Sequence, residues 1–199
     1  MSAALAIDIA ILPPADVSQR AIELSAQLPR DESEGLLLGP EYLPHLTLLQ
    51  QFVAAADVPA LLDLIGLSTQ AFSTMLVRVA GGATGSRSVW MDVEPTPALV
   101  DLHRHVLDVS APFDAHVGDH QAFFGGDARA RDEQWVTGYR TASSGARFRP
   151  HITLGHAARP PAIEPFTFDA STIAACHLGR FCSCRRVLRA WTLNAWIAR

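Results

Sequence analysis

The order of elements legible in the chain predicts an α+β protein. Its form is expected to be a bilobal, duplicated fold of two mainly antiparallel sheets with flanking helices and a central cleft. Three observations lead there. Strand, helix and paired-strand patterns follow one another in an order that runs about twice. A Pro-His-aliphatic-Thr-Leu stretch is written twice, as PHLTL at Pro44–Leu48 and as PHITL at Pro150–Leu154. The copies are also placed almost symmetrically, with 44 residues before His45 and 48 after His151. No wider self-similarity is visible, and residues 1–199 are expected to form one bilobal domain.

The elements follow from local pattern. ALAIDIAIL (Ala4–Leu12) partly alternates and reads as a buried strand. Pro13-Pro14 break it, and ADVSQRAIELSAQL then carries helical periodicity to Leu28, stopped by Pro29. EGLLLG and HLTLLQQFV are strand candidates on either side of Gly39-Pro40 and Pro44. VPALLDLIGLSTQA after Asp57 reads as a helix with Pro59 in its first turn. FSTMLVRVAG and SVWMDVE read as strands around a GGATGSRS turn. TPALVDLHRHVLDV is an amphipathic helix with Thr96 as N-cap and Pro97 at its first position.

From Ala111 to Gly126 no period is evident, and RDEQWVTGYRTASS is a short helical candidate. A motif strand is expected over Arg149–Gly155. FTFD and then a hairpin across CRR, joining TIAACHLGRFCS to VLRAWTLNAW, complete the chain.

Composition narrows the class. An apolar fraction of 49% with 18% charged residues describes a globular chain with enough apolar side chains for an ample core. No apolar run reaches the roughly 18–20 residues of a membrane helix. The first residues carry no basic leader and Asp8 interrupts their apolar run, so the expectation is a cytoplasmic protein without a signal peptide. Three cysteines with no CxxC pair read as reduced thiols. The C-x-C of Cys182 and Cys184 lacks the spacing and further ligands of a usual zinc site.

All 16 basic residues are arginine, and the net charge is −4. The first hundred residues hold 4 Arg against 11 acids; the rest hold 12 Arg against 9. Overall acidity disfavours a large nucleic-acid footprint and favours a small anionic ligand. Arginine is the side chain best suited to bidentate phosphate contact.

Alternation along a strand puts His45 and Thr47 on one face and Leu46 and Leu48 on the other; His151 and Thr153 likewise oppose Ile152 and Leu154. Each motif thus offers an imidazole beside a hydroxyl on a strand anchored by aliphatic neighbours. Two such strands across a cleft suit a phosphodiester. One histidine can activate an attacking oxygen and the other can protonate the leaving oxygen, while the threonines hold the non-bridging oxygens. Arg149 shares the His151 face by parity and can add positive charge; Arg147 would join it if the strand starts early enough.

The paired HLTL and HITL resemble the His-x-Thr-x signatures of the 2H phosphoesterase superfamily, which includes RNA 2′,3′-cyclic phosphodiesterases, also known as the 2′-5′ RNA ligase family. RPHITLGH is especially similar to that family's second motif. The resemblance implies a bilobal fold with pseudo-twofold symmetry and a metal-independent site without cofactor between the lobes. It also implies His45 and His151 as the acid/base pair and Thr47 and Thr153 as phosphate ligands. The expected activity is hydrolysis of 2′,3′-cyclic phosphates at RNA ends or on nucleotides, by a monomer. The alternatives are a 2′-5′ ligase or phosphodiesterase using the same site, and a non-catalytic binder of RNA ends or nucleotides.

Other constellations are weaker. His103 and His105 lie two apart on a helix and diverge. DAHVGDH (Asp114–His120) could hold a metal through His116 and His120, but Gly118 and the lack of a helical period favour loop histidines. GGATGSRS has the composition of a phosphate loop without its strand-to-helix context. Arg180, Arg185 and Arg186 fit a soluble hairpin tip. Trp135, Tyr139, Phe123 and Phe124 flank the unread loop, where one could stack on a base.

Overall fold

The computed structural model describes residues 4–86 and 88–195. Their order is β1 (Ala4–Leu12), α1 (Ala15–Ala26), β2 (Leu46–Ala54), α2 (Val58–Thr69), β3 (Met75–Gly85), β4 (Ser88–Val93), α3 (Pro97–Ser110), α4 (Ala130–Ala142), β5 (His151–His156), β6 (Phe166–Ala170), β7 (Thr172–Gly179) and β8 (Ser183–Thr192). The strands form one antiparallel array in the order β6-β3-β4-β5-β2-β1-β7-β8. The class is α+β, as expected.

The array divides into two four-stranded halves that touch through one pair, Leu46 opposite Ile152. The motif strands β2 and β5 are therefore the inner strands of the two halves. Neither half is a continuous piece of chain. β3 leaves β2 to join β4, and the C-terminal β7 and β8 return to pair outside β1.

Both motifs carry the same irregularity. Between Ile9 and Ala10 the register with β2 slips past Leu48. Between Val89 and Trp90 the register with β5 slips past Leu154. A bulge in each case falls on the fourth residue of the His-x-Thr-Leu stretch, re-aiming whatever follows. Gly155, just past the second bulge, sits at φ +151, and a Cβ there would lie 2.8 Å from Leu28 Cδ1.

Strand alternation sorts the two faces. Ile7, Ile9 and Ile11 enter the main core with Leu46, Ile152, Val17 and Leu24 of α1, Leu61 and Ile65 of α2, and Leu99 and Val106 of α3. Ala6 and Ala10, on the other face of β1, belong to two small clusters, one with Phe52, Phe123 and Val136 and one with Cys176 and Cys184. Asp8 lies between them, fully buried.

Three expectations are corrected, and one unread stretch is resolved. EGLLLG is not a strand: Leu36 and Leu38 are buried, but the segment pairs with no neighbouring strand, and the Leu38 amide donates to Ser25 Oγ at 3.0 Å instead. The glycines of GGATGSRS extend β3 through Gly85, leaving the turn at Ser86. The last hairpin turns at Arg180–Cys182, not at CRR, which is strand. Phe181 and Cys182 take φ of +68° and +52° there. Arg129 lies 4.2 Å over the Phe181 ring, and the Phe181 amide donates to Asp132 Oδ2. Finally, Ala111–Gly126 is ordered as three single 3-10 turns. Gly118 packs so close to Phe52 that a Cβ would meet its ring at 2.3 Å, and the Ala115 amide donates to the Phe52 carbonyl. Arg87 and Trp196, within two of the elements read from sequence, lie outside the described residues. Among the described residues no helix is long and apolar enough to cross a membrane.

Candidate active site

With Leu46 opposite Ile152 in an antiparallel pair, His45 faces toward Thr153 and Thr47 toward His151. Leu46 and Ile152 are both 0% exposed on the core side. The four motif side chains therefore share the opposite face, at the seam between the halves.

The two imidazoles are held alike. His45 Nδ1 lies 2.7 Å from the Leu43 carbonyl oxygen, and His151 Nδ1 lies 2.8 Å from that of Arg149. In each case the acceptor is two residues back, across the motif's proline. A carbonyl can only accept, so Nδ1 carries hydrogen in both rings and Nε2 is left for chemistry.

The surroundings of the two rings differ. Asp8 Oδ2 lies 3.6 Å from His45 Nε2. The same oxygen accepts the Thr47 hydroxyl at 2.7 Å and the Gln50 amide at 2.8 Å. The bulge at Leu48 explains this: it brings Gln50 onto the face of His45 and Thr47. Trp135 of α4 in turn donates to Gln50 Oε1 at 3.0 Å. Asp8 Oδ1 is buried with no hydrogen-bond partner among the described residues. Burial raises the Asp8 pKa above 3.8, and His45 and the two hydrogen bonds oppose that rise.

Among the described residues no carboxylate forms an ion pair with His151 as Asp8 does with His45. The His151 ring lies 5.3 Å from that of Trp90, and Asp92 is its partner across β4. Desolvation pulls its pKa below 6.5; the Arg149 carbonyl opposes this, the charge of His45 adds to it, and the Asp92 carboxylate opposes it. Desolvation thus favours the neutral ring at His151, while Asp8 Oδ2 stands 3.6 Å from His45 Nε2.

Thr153 is half-buried, and its hydroxyl makes no protein hydrogen bond among the described residues. Arg149 is exposed and anchors His151 through its backbone. Arg147 does not join the face, because it closes the 3-10 turn Gly145–Arg147 ahead of the strand and donates to the Thr141 carbonyl. The strand itself starts at His151, although the Pro150 carbonyl already accepts from Val93.

The weaker constellations resolve as packing or as surface polar pairs. His103 is buried, stacked on Phe148 at 3.8 Å and bonded through Nδ1 to the Leu48 carbonyl. His116 pairs with Asp114, which also binds Arg140, while His120 contacts Gln121. Phe123 and Tyr139 are core residues, and Trp135, 46% exposed, is the one that reaches the site.

Sequence reasoning missed Asp8, Gln50, Trp90 and Asp92. Asp8 did leave a signal, as the only charge in an otherwise apolar strand.

The model of the 2′-5′ RNA ligase superfamily matches residues 13–172. The chain belongs to that family, the 2H phosphoesterases. No curated protein sequence matches it. Among solved structures, this 2H phosphoesterase is similar to apo LigT of E. coli, at 20% identity and a TM-score of 0.62, over 97% of this chain and 99% of that one. LigT complexed with 3′-AMP gives 20% identity and a TM-score of 0.59, over 96% and 99% of the two chains. TT0787 of Thermus thermophilus gives 14% and 0.60, over 97% and 100%.

Proposed function

We propose that this 2H phosphoesterase is a metal-independent cyclic phosphodiesterase opening 2′,3′-cyclic phosphates of RNA ends or nucleotides. The observation that carries the reading is the shared face: two imidazoles, each with Nδ1 tied to a carbonyl and Nε2 without a hydrogen bond among the described residues, presented with two threonines where the sheet halves meet. The complexes of LigT with 3′-AMP and ATP, which share this fold, support a nucleotide as ligand.

The asymmetry around the rings supports a division of roles. His151, held toward its neutral form, removes a proton from water as the water oxygen attacks phosphorus. His45, beside Asp8, acts as the acid and gives its Nε2 proton to the 3′ oxygen as the P–O3′ bond breaks, leaving a 2′-phosphate. Thr153 and the exposed Arg149 hold non-bridging oxygens. Thr47, now donating to Asp8, exchanges that bond for a phosphate oxygen when substrate binds. Solvent then returns one proton to His45 and takes one from His151.

Turnover of a 2′,3′-cyclic nucleotide, with the product phosphate located by phosphorus NMR, tests the reading. A 2′-phosphate product is expected; an intact cyclic phosphate after long incubation with folded protein would refute it.

A further inference from the structure

Asp8, His45 and Cys184 come from β1, the start of β2 and β8, and their potential ligand atoms all lie within 4.8 Å of one another. The backbone explains the meeting. The Leu43 amide donates to the Cys184 carbonyl at 3.0 Å, pinning the approach to His45 against β8, and Cys176 lies opposite Asp8 and packs in one small cluster with Cys184. Cys184 and Asp8 are fully buried, whereas the His45 side chain keeps 10% of its surface open.

We propose that these three residues form an inhibitory site for a borderline-soft divalent cation, zinc being the best match. Thiolate, imidazole and carboxylate together are a zinc set, with a fourth position left for solvent entering past His45. A second observation points the same way: among the described residues Asp8 Oδ1 is buried without a hydrogen-bond partner, an unused acceptor inside an otherwise bonded cluster. Binding releases the Cys184 thiol proton to solvent and occupies His45 Nε2, the atom that carries the catalytic proton. The cation therefore blocks turnover rather than assisting it. The inhibitory consequence rests on the cyclic phosphodiesterase reading; the binding site itself does not.

Cobalt(II) reports the site independently of activity, because a thiolate–cobalt bond adds a near-ultraviolet charge-transfer band. Purified full-length protein, stripped with chelator, is titrated with Co²⁺ and then with Zn²⁺, alongside Cys184→Ala. The wild type is expected to bind one ion, show the band and lose it to zinc. Cys184→Ala is expected to lack the band, bind zinc at least tenfold more weakly and turn over normally in metal-free buffer without the wild type's zinc inhibition. No band in the wild type, or the same band in Cys184→Ala, overturns the site. A band with no zinc inhibition of an active enzyme overturns the inhibitory role. A protein that shows the band but turns over no cyclic phosphate leaves the metal site standing and the functional reading failed. Should Cys184→Ala not fold, Asp8→Asn keeps the cluster's shape and must also weaken cobalt binding, or the assignment falls.

Discussion

Asp8 Oδ2 sits 3.6 Å from His45 Nε2 while accepting the hydroxyl of Thr47 and the amide of Gln50. One buried carboxylate thus ties three side chains of the first motif strand together. At the corresponding position of the second half stands Ser88, the partner of His156 in β4. Two motifs nearly identical in sequence are made unlike by the strands beside them.

Asp8→Asn should trade activity for stability. Burial raises the Asp8 pKa, so the folded state binds a proton more tightly than the unfolded chain. Stability from this group is present below the unfolded value of 3.8 and is lost as pH rises through the folded value. The variant should therefore melt higher than wild type at about pH 8, with the gap closing toward about pH 4. Turnover should fall because His45 Nε2 loses the carboxylate that stands 3.6 Å from it. Thermal denaturation at both pH values checks the first part; an unchanged gap across the range would contradict it.

The pH profile of kcat/KM should be a bell whose acid limb belongs to His151. Desolvation lowers that group's pKa, so the limb should fall below the ordinary histidine value of 6.5. In His151→Ala the residual rate should lose the acid limb. A limb that persists unchanged would assign it to another group.

The two threonines should not be equivalent. Thr153 has its hydroxyl free of protein partners among the described residues, while Thr47 donates to Asp8. Thr153→Ala should chiefly raise KM. Thr47→Ala should raise KM less, since in the free enzyme the Thr47 hydroxyl must first give up its bond to Asp8 before it can hold phosphate. Steady-state kinetics on one cyclic nucleotide separates the two outcomes, and identical profiles would remove the distinction.

The core side of the motif strands should carry a large share of their stability. Leu46 is 0% exposed, and Leu46→Ala should cost about 2–5 kcal/mol. Ile152→Val removes a single methylene and should cost about 0.5–1.5 kcal/mol. Urea denaturation measures both. A loss below the lower bounds would mean that the seam between the halves is loosely packed.

Much of this site was legible because strand parity is local. His45 with Thr47, and His151 with Thr153, need only a period of two, and the repeat suggested that they meet. Parity failed beyond the bulges at Leu48 and Leu154, where the slip that brings Gln50 to Asp8 is set by neighbouring strands. Asp8 was visible as an odd charge, but its partners come from 39 and 42 positions further along the chain. EGLLLG alternates like a strand yet lacks a neighbour to pair with. The order of Ala111–Gly126 comes from contacts such as Gly118 on Phe52, which leave no periodic trace. The turn at Phe181 uses left-handed non-glycine residues held by Arg129 and Asp132, so no turn signal marks it.

The central claim is that two imidazoles work as one acid–base unit without a metal. Its most direct measurement is turnover of a 2′,3′-cyclic nucleotide in excess EDTA by wild type, His45→Ala, His151→Ala and the double variant, each verified as folded. Wild type should be as active as without chelator or faster, and each single change should cost at least about 10²-fold. The double should cost less than the product of the singles, because the pair acts as a unit. Loss of wild-type activity in EDTA with recovery on added zinc or manganese, or a folded His151→Ala protein with full turnover, would contradict it.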